Sequence, residues 1–187
     1  MQLQDNFKNN FSLKGFASIL IGFYFFLLAY AYKYLLDGFL IDNHPLGVIS
    51  PQILEILCIV LAVIFIVFSS FAIFFRAKRK AKKEDYLLWN KQSKSALKKY
   101  FLTIIIGFGI LLILKNYGYI NLLTPIFLCC YATLLFLLKS KNNNKLYVLI
   151  GLAILLALYC FMIPSYWYSS FTIMAIAHAA FGLVEKN

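Results

Sequence analysis

The chain predicts an all-α, polytopic membrane fold of six transmembrane helices, and two observations carry that prediction. One is composition: 63% of the 187 residues are hydrophobic and 13% are charged, whereas soluble domains are about half apolar and a quarter charged. The apolar residues are gathered into six blocks. The other is the placing of charge. Of 18 Lys and Arg, all but Lys33 and Lys115 fall before Gly15, between Arg76 and Lys99, between Lys139 and Lys145, or at Lys186. These are alternate gaps between the blocks, so the positive-inside rule puts both termini in the cytoplasm.

Crossing a hydrocarbon core of about 30 Å takes about 20 residues. No alternating pattern is present, and backbone groups in lipid must be satisfied within their own segment, so the spans are helices. The first runs from about 16 to 36. It lacks a small-x-small cleavage pattern, is too long for a signal-peptide core and ends in Tyr30, Tyr32 and Tyr34, so it reads as an uncleaved helix. Lys33 and Asp37, four apart, read as a snorkelling lysine with a local ion pair.

The second helix covers 53–75, with Glu55 in its first turn complementing the helix dipole; an ion or proton ligand is the alternative. The third and fourth, 100–114 and 122–138, are short and borrow flanking residues such as Leu97 and Ile120. The fifth covers 146–163 and the sixth 167–184. Outer links KNYGYIN and PSY are tight, which makes antiparallel neighbours and three consecutive hairpins. Residues 76–99 form the only sizeable segment outside the bilayer, a cytoplasmic basic loop, so the chain is a single integral membrane domain.

The net charge of +11 is explained by that topology and does not call for nucleic acid. A surplus of Lys, Asn, Ile and Phe fits an AT-rich bacterial genome and places the protein in the inner membrane. Cys58, Cys129, Cys130 and Cys160 all lie inside predicted helices, with no CxxC pair, and read as packing residues. No cofactor or metal is expected.

An internal repeat is visible at an offset of 44: IGFGILLIL at 106–114 against IGLAILLAL at 150–158, with IGFYFFLL at 21–28 similar. It would put Gly22, Gly107 and Gly151 at equivalent helix contacts, as in transporters built from parallel repeats; chance matching of apolar segments is the competing account.

Ionisable groups at membrane depth are costly and attract functional hypotheses. His178 is the foremost. It lies beside Ala175, Ala179 and Gly182, a small-residue stripe at i, i+4, i+7 that lets a neighbouring helix approach closely. It reads as an interhelical hydrogen-bonding residue, with a protonation switch as the functional alternative. The outer tyrosines and Trp167 have the composition of an interfacial belt.

In the basic loop, Arg76, Lys78, Arg79, Lys80, Lys82 and Lys83 would face anionic headgroups. Tyr86, Trp89, Ser93, Ala96 and Tyr100 would share one face of an interfacial helix feeding the third span. Partner docking is the alternative. Catalytic motifs are absent: no phosphate loop, HExxH, GxSxG or paired intramembrane carboxylates. Ser69 and Ser70 lack an obvious base, and Asp42–His44 is a single weak pair.

Three stretches carry a resemblance: KKEDYLLWNK, GYINLLTPIFLCCYATLL and WYSSFTIMAIAHAAFGLV, with SLKGFASILIGFYFFLLAY at the start. From about Lys78 onward the chain resembles a group of small six-helix membrane proteins of Bacteroidota. That group has a Trp-containing basic linker, a GxIxLxxP lead-in to helix four, and a final helix with His near Gly. The matching residues are Trp89, then Gly118, Ile120, Leu122 and Pro125, then His178 and Gly182. The resemblance implies six helices and a family role for His178, and it brings no activity.

The expected function is therefore non-enzymatic: a sensor, regulator or assembly partner in the membrane, with a homo-oligomer or a membrane protein as partner. A small oligomeric channel, transporter or membrane-permeabilising effector is the alternative. Its pore would be shared between subunits, because six helices with so few polar groups cannot line a wet path alone.

Overall fold

A computed structural model describes residue 11 and residues 13–40, 49–83, 85–139 and 145–185. Asp42, His44 and most of the polar turn after Lys139 lie outside them. The described residues form six helices: α1 (Phe16–Leu40), α2 (Pro51–Lys83), α3 (Lys91–Asn116), α4 (Leu123–Leu137), α5 (Leu146–Met162) and α6 (Trp167–Val184). Short 3-10 turns, Ile120–Leu122 and Pro164–Tyr166, lead into α4 and α6. Counting those turns, five helices are long and apolar enough to cross a membrane, and α5, at 17 residues, is apolar but shorter.

The segment 76–99 is not a loop. Its first residues continue α2 to Lys83, and α3 starts at Lys91, well before the expected Tyr100. Lys, Arg and Ala are strong helix formers, and cations in a last helical turn complement the dipole. At 1.5 Å per residue the 33 residues of α2 span about 50 Å, well beyond a core of about 30 Å. Arg76, Lys78, Arg79, Lys80, Lys82 and Lys83 therefore ride on a projecting helix end. Asp85, at φ 49°, turns the chain. Asn90 then caps α3 by accepting from the Ser93 N–H at 2.7 Å. Tyr86 and Trp89 fall outside that helix, so the expected shared face shrinks to Ser93, Ala96 and Tyr100.

α3 ends in a Schellman motif. The Gly118 N–H donates to Lys115 O at 3.0 Å and the Tyr119 N–H to Leu114 O at 2.9 Å. Gly118 has φ +78°, a left-handed conformation that a residue without Cβ adopts at no steric cost. This turn sends the chain back as α4.

Helices α1 and α2, α3 and α4, and α5 and α6 each touch, as sequential hairpins would. The largest contacts, however, are between helices of different hairpins: α1 with α6, the two ends of the chain, and α4 with its successor α5. The core runs along these seams, with Phe25, Leu128, Leu149, Met174 and His178 fully buried. Phe25 packs edge-on against Phe65 at 4.6 Å and Tyr131 at 4.9 Å between ring centroids.

One end of the bundle gathers the basic segments. Glu185 reaches Lys14 (3.3 Å) and Lys145 (2.9 Å), Lys139 Nζ lies 3.6 Å above the Tyr147 ring, and Trp89 packs against Phe11. The described beginning and end of the chain thus lie together. At the opposite end Glu55 pairs with Lys115 at 2.6 Å, joining α2 to α3. Because α2 begins at Pro51, Glu55 lies beyond the first turn, the expected position for complementing the helix dipole. Lys33 does not pair with Asp37. Its ammonium sits 4.6 Å over the Tyr168 ring, a cation–π contact made by an exposed lysine at the same helix end.

Candidate functional site

A cluster of buried polar side chains lies where α1, α4 and α6 meet. On α1, Ser18 and Gly22 lie four residues apart, with Gly15 just ahead of the helix; on α6, Ala175, Ala179 and Gly182 follow at i, i+4, i+7. The two stripes face each other in antiparallel sense. A Cβ on Gly22 would lie 2.6 Å from Ala175 O and 3.1 Å from Ala179 N. One on Gly182 would lie 2.7 Å from Gly15 O and 2.9 Å from Ile19 N. Such backbone contact is what small residues permit between membrane helices.

In the middle of this seam Ser18 Oγ donates to the backbone carbonyl of His178 at 2.9 Å and lies 3.1 Å from His178 Nδ1. Tyr131 Oη, from α4, lies 2.7 Å from Nε2. A hydroxyl has a single proton. Because that of Ser18 goes to the carbonyl, Nδ1–H must donate to Ser18 Oγ, and Nε2 accepts from Tyr131. The hydrogen-bond directions thus assign the neutral Nδ1–H tautomer. The imidazole also stacks on Phe25, 5.8 Å between centroids with planes 15° apart.

Chemically this is a closed knot. Ser18 is not activated, because its proton points to a carbonyl and His178 donates to it instead of accepting from it, the reverse of a nucleophile–base pair. Ser18 and His178 are fully buried. Among the described residues no group of three or more His, Cys, Asp or Glu could hold a metal ion.

The other expected positions have separate surroundings. Gly107 faces Cys130 at the α3–α4 contact, where a Cβ would lie 3.1 Å from Sγ. Gly151, expected at an equivalent helix contact, is exposed, and a Cβ there would meet nothing within 4 Å. The α5 surface buried in the bundle lies on other faces, through Leu149, Ala153 and Leu156, so the three glycines do not share an environment. Cys160 Sγ lies 3.0 Å from Ser170 Oγ, and Tyr32 donates to Cys58 O at 2.9 Å. Tyr30, Tyr34, Tyr117 and Tyr119 are exposed toward the end opposite the basic segments.

At the basic end, Glu185 closes a second clasp between the starts of α1 and α5 and the end of α6. The hydrogen bond from Lys145, supported by Lys14, holds its carboxyl below the usual carboxylate range.

Sequence reasoning did not single out Ser18 or Tyr131. Both had a signal. Ser18 lies four residues before Gly22 on one helical face, and a tyrosine in the middle of an apolar span needs a partner for its hydroxyl. Comparison of the chain with protein-family models, curated proteins and solved structures finds no match.

Proposed function

We propose that this protein is a non-enzymatic, multi-pass component of a bacterial inner membrane, with its basic end in the cytoplasm, that acts by contact as a sensor, regulator or assembly partner. The observation that supports this most is the closure of the knot. The histidine, serine and tyrosine at its centre hold three helices together, and each uses its polar atoms on the others. The remaining surfaces suited to recognition are the projecting basic turns of α2 and the apolar outer faces of α2 and α3. Basic groups clustered on one end support a cytoplasmic placement, and the resemblance to six-helix proteins of Bacteroidota supports the bacterial setting.

The test is reconstitution together with purification in mild detergent. Proteoliposomes should hold an ion gradient as empty liposomes do. Arg79→Glu with Lys82→Glu should release a stoichiometric membrane partner while leaving the helical content unchanged. A protein-dependent ion leak would overturn the reading in favour of the oligomeric channel, and turnover of a lipid substrate would overturn it in favour of an enzyme.

A further inference from the structure

α2 and α3 run side by side but scarcely touch. Their backbones make no substantial contact, and they are joined mainly by side chains: the Glu55–Lys115 ion pair at one end and Ser70–Tyr100 (3.0 Å) nearer the other. Between them, on the side of the basic end, lies a crevice of about 270 Å³. Its mouth is on the outer surface of the bundle, because the lining residues Phe71, Phe101 and Trp89 are 51%, 50% and 46% exposed. Its floor is made by buried Ile73, Tyr100 and Leu138.

Water is a poor occupant. A buried water needs two to four polar partners. The two hydroxyls in this lining are already engaged: Ser70 donates to Ile66 O at 2.7 Å and pairs with Tyr100, which leaves the indole N–H of Trp89 at the mouth as the other polar side-chain group. The volume lies below the roughly 300–1,000 Å³ of sites that enclose a whole drug-sized ligand. It suits one length of a flexible apolar chain whose remainder stays outside.

The charge at the mouth says what that remainder is. α2 runs toward the basic end, and Lys78 follows Phe71 and Phe74 at i+7 and i+4, on the outward edge of the crevice face. α3 runs away from it, and Lys94 precedes Leu97 and Phe101 by three and seven residues, on the matching edge, with Lys98 beside it. All three lysines are exposed, and no ion pair is formed by them among the described residues. An apolar slot open sideways at membrane depth, with cations at its headgroup end, is complementary to an anionic amphiphile.

We infer that the α2–α3 crevice is a binding site for one anionic phospholipid. An acyl chain lies against Phe71, Phe74, Leu97 and Phe101, and the phosphate is met by Lys78 and Lys94. This rests on the helices lying in a bilayer and not on the contact role proposed above. The lipid would fill a gap that the protein leaves between two of its helices.

Trp89 gives a direct probe, since the chain has two tryptophans and Trp167, at the opposite end, is replaced as Trp167→Phe. The full-length variant goes into phosphatidylcholine nanodiscs doped with phosphatidylglycerol carrying brominated acyl chains, or with brominated phosphatidylcholine in the same proportion. Site binding predicts saturable quenching of Trp89 by the anionic lipid and only gradual quenching by the zwitterionic one. Lys78→Gln with Lys94→Gln should weaken the anionic preference about 30-fold, from the worth of two basic residues near a membrane surface. Ala96→Phe, which fills the slot, should abolish saturation, while Ile110→Phe, farther along α3, should not.

Coincident curves for the two lipids in the otherwise unchanged protein would overturn the inference. So would coincident curves accompanied by loss of a dimer in Ala96→Phe, which would give the crevice to a second copy. Neither outcome bears on ion leak or partner release, so this inference and the proposed function fail separately.

Discussion

His178 is tied to two helices besides its own, yet its two hydrogen bonds are not its main contribution. Tyr131→Phe removes one of them and keeps the ring, and interhelical hydrogen bonds in membranes average about 0.6 kcal/mol, at most about 1.7. A loss of that size in detergent unfolding is expected, with assembly intact. His178→Ala also removes a buried ring stacked on Phe25 and leaves a cavity, so about 2–5 kcal/mol is expected from large-to-small replacement. Protonating the ring would force Tyr131 from donor to acceptor, with no carboxylate in contact among the described residues. Any activity should therefore be flat from about pH 5 to 8, the range in which histidines switch. A sigmoidal pH response of that activity, absent in Tyr131→Phe and His178→Gln, would instead give His178 a sensing role. The stripe beside His178 was legible in sequence because its spacing is local. Its partners were not, since nothing in the apolar code of α1 or α4 says which helix comes to meet α6.

Between elements, the glycines separate two kinds of position that look alike in sequence. Gly22 and Gly151 both follow an Ile, and the repeat pairs them. Gly22→Ala would press a methyl group to 2.6 Å from Ala175 O, a backbone atom that cannot move alone. Overpacking of this kind costs about 1–3 kcal/mol, and Gly182→Leu should prevent the α1–α6 seam from closing at all. Gly151→Ala meets open space and should range from neutral to a gain of about 1 kcal/mol from helix propensity. Thermal unfolding in one detergent ranks the three. Equal losses at Gly22 and Gly151 would restore the repeat as a packing device. Helix boundaries were the other failure of sequence reading. The basic run Arg76–Lys83 was set apart as a loop because charge marks where the bilayer ends, but a helix need not end there.

The whole molecule was legible in its number of helices, five of them long and apolar enough to cross a membrane, and in the gathering of basic segments at one end. Both were legible because apolar blocks and charged gaps can be read directly along the chain. Neighbour relations were not: helices apolar on all sides carry almost no directional stripe to point at a partner. Glu185 belongs to this scale, since it binds together the starts of α1 and α5 and the end of α6. Its carboxyl is held below the usual carboxylate range by Lys145 and Lys14, so its contribution is present above the unfolded value, about 4.3. That contribution is lost as pH falls through the lower folded value. Glu185→Gln should therefore be less stable than the parent at neutral pH, and the difference should close in acid below that ordinary value. The pair is partly solvated, so high salt should narrow the same gap. If the basic end faces the cytoplasm, reporters fused to either terminus and to the turn at Asp85 will all report inside, and a reporter in the link at Gly118 will report outside. A single terminus read as outside would break the common end that Lys14, Lys145 and Glu185 make.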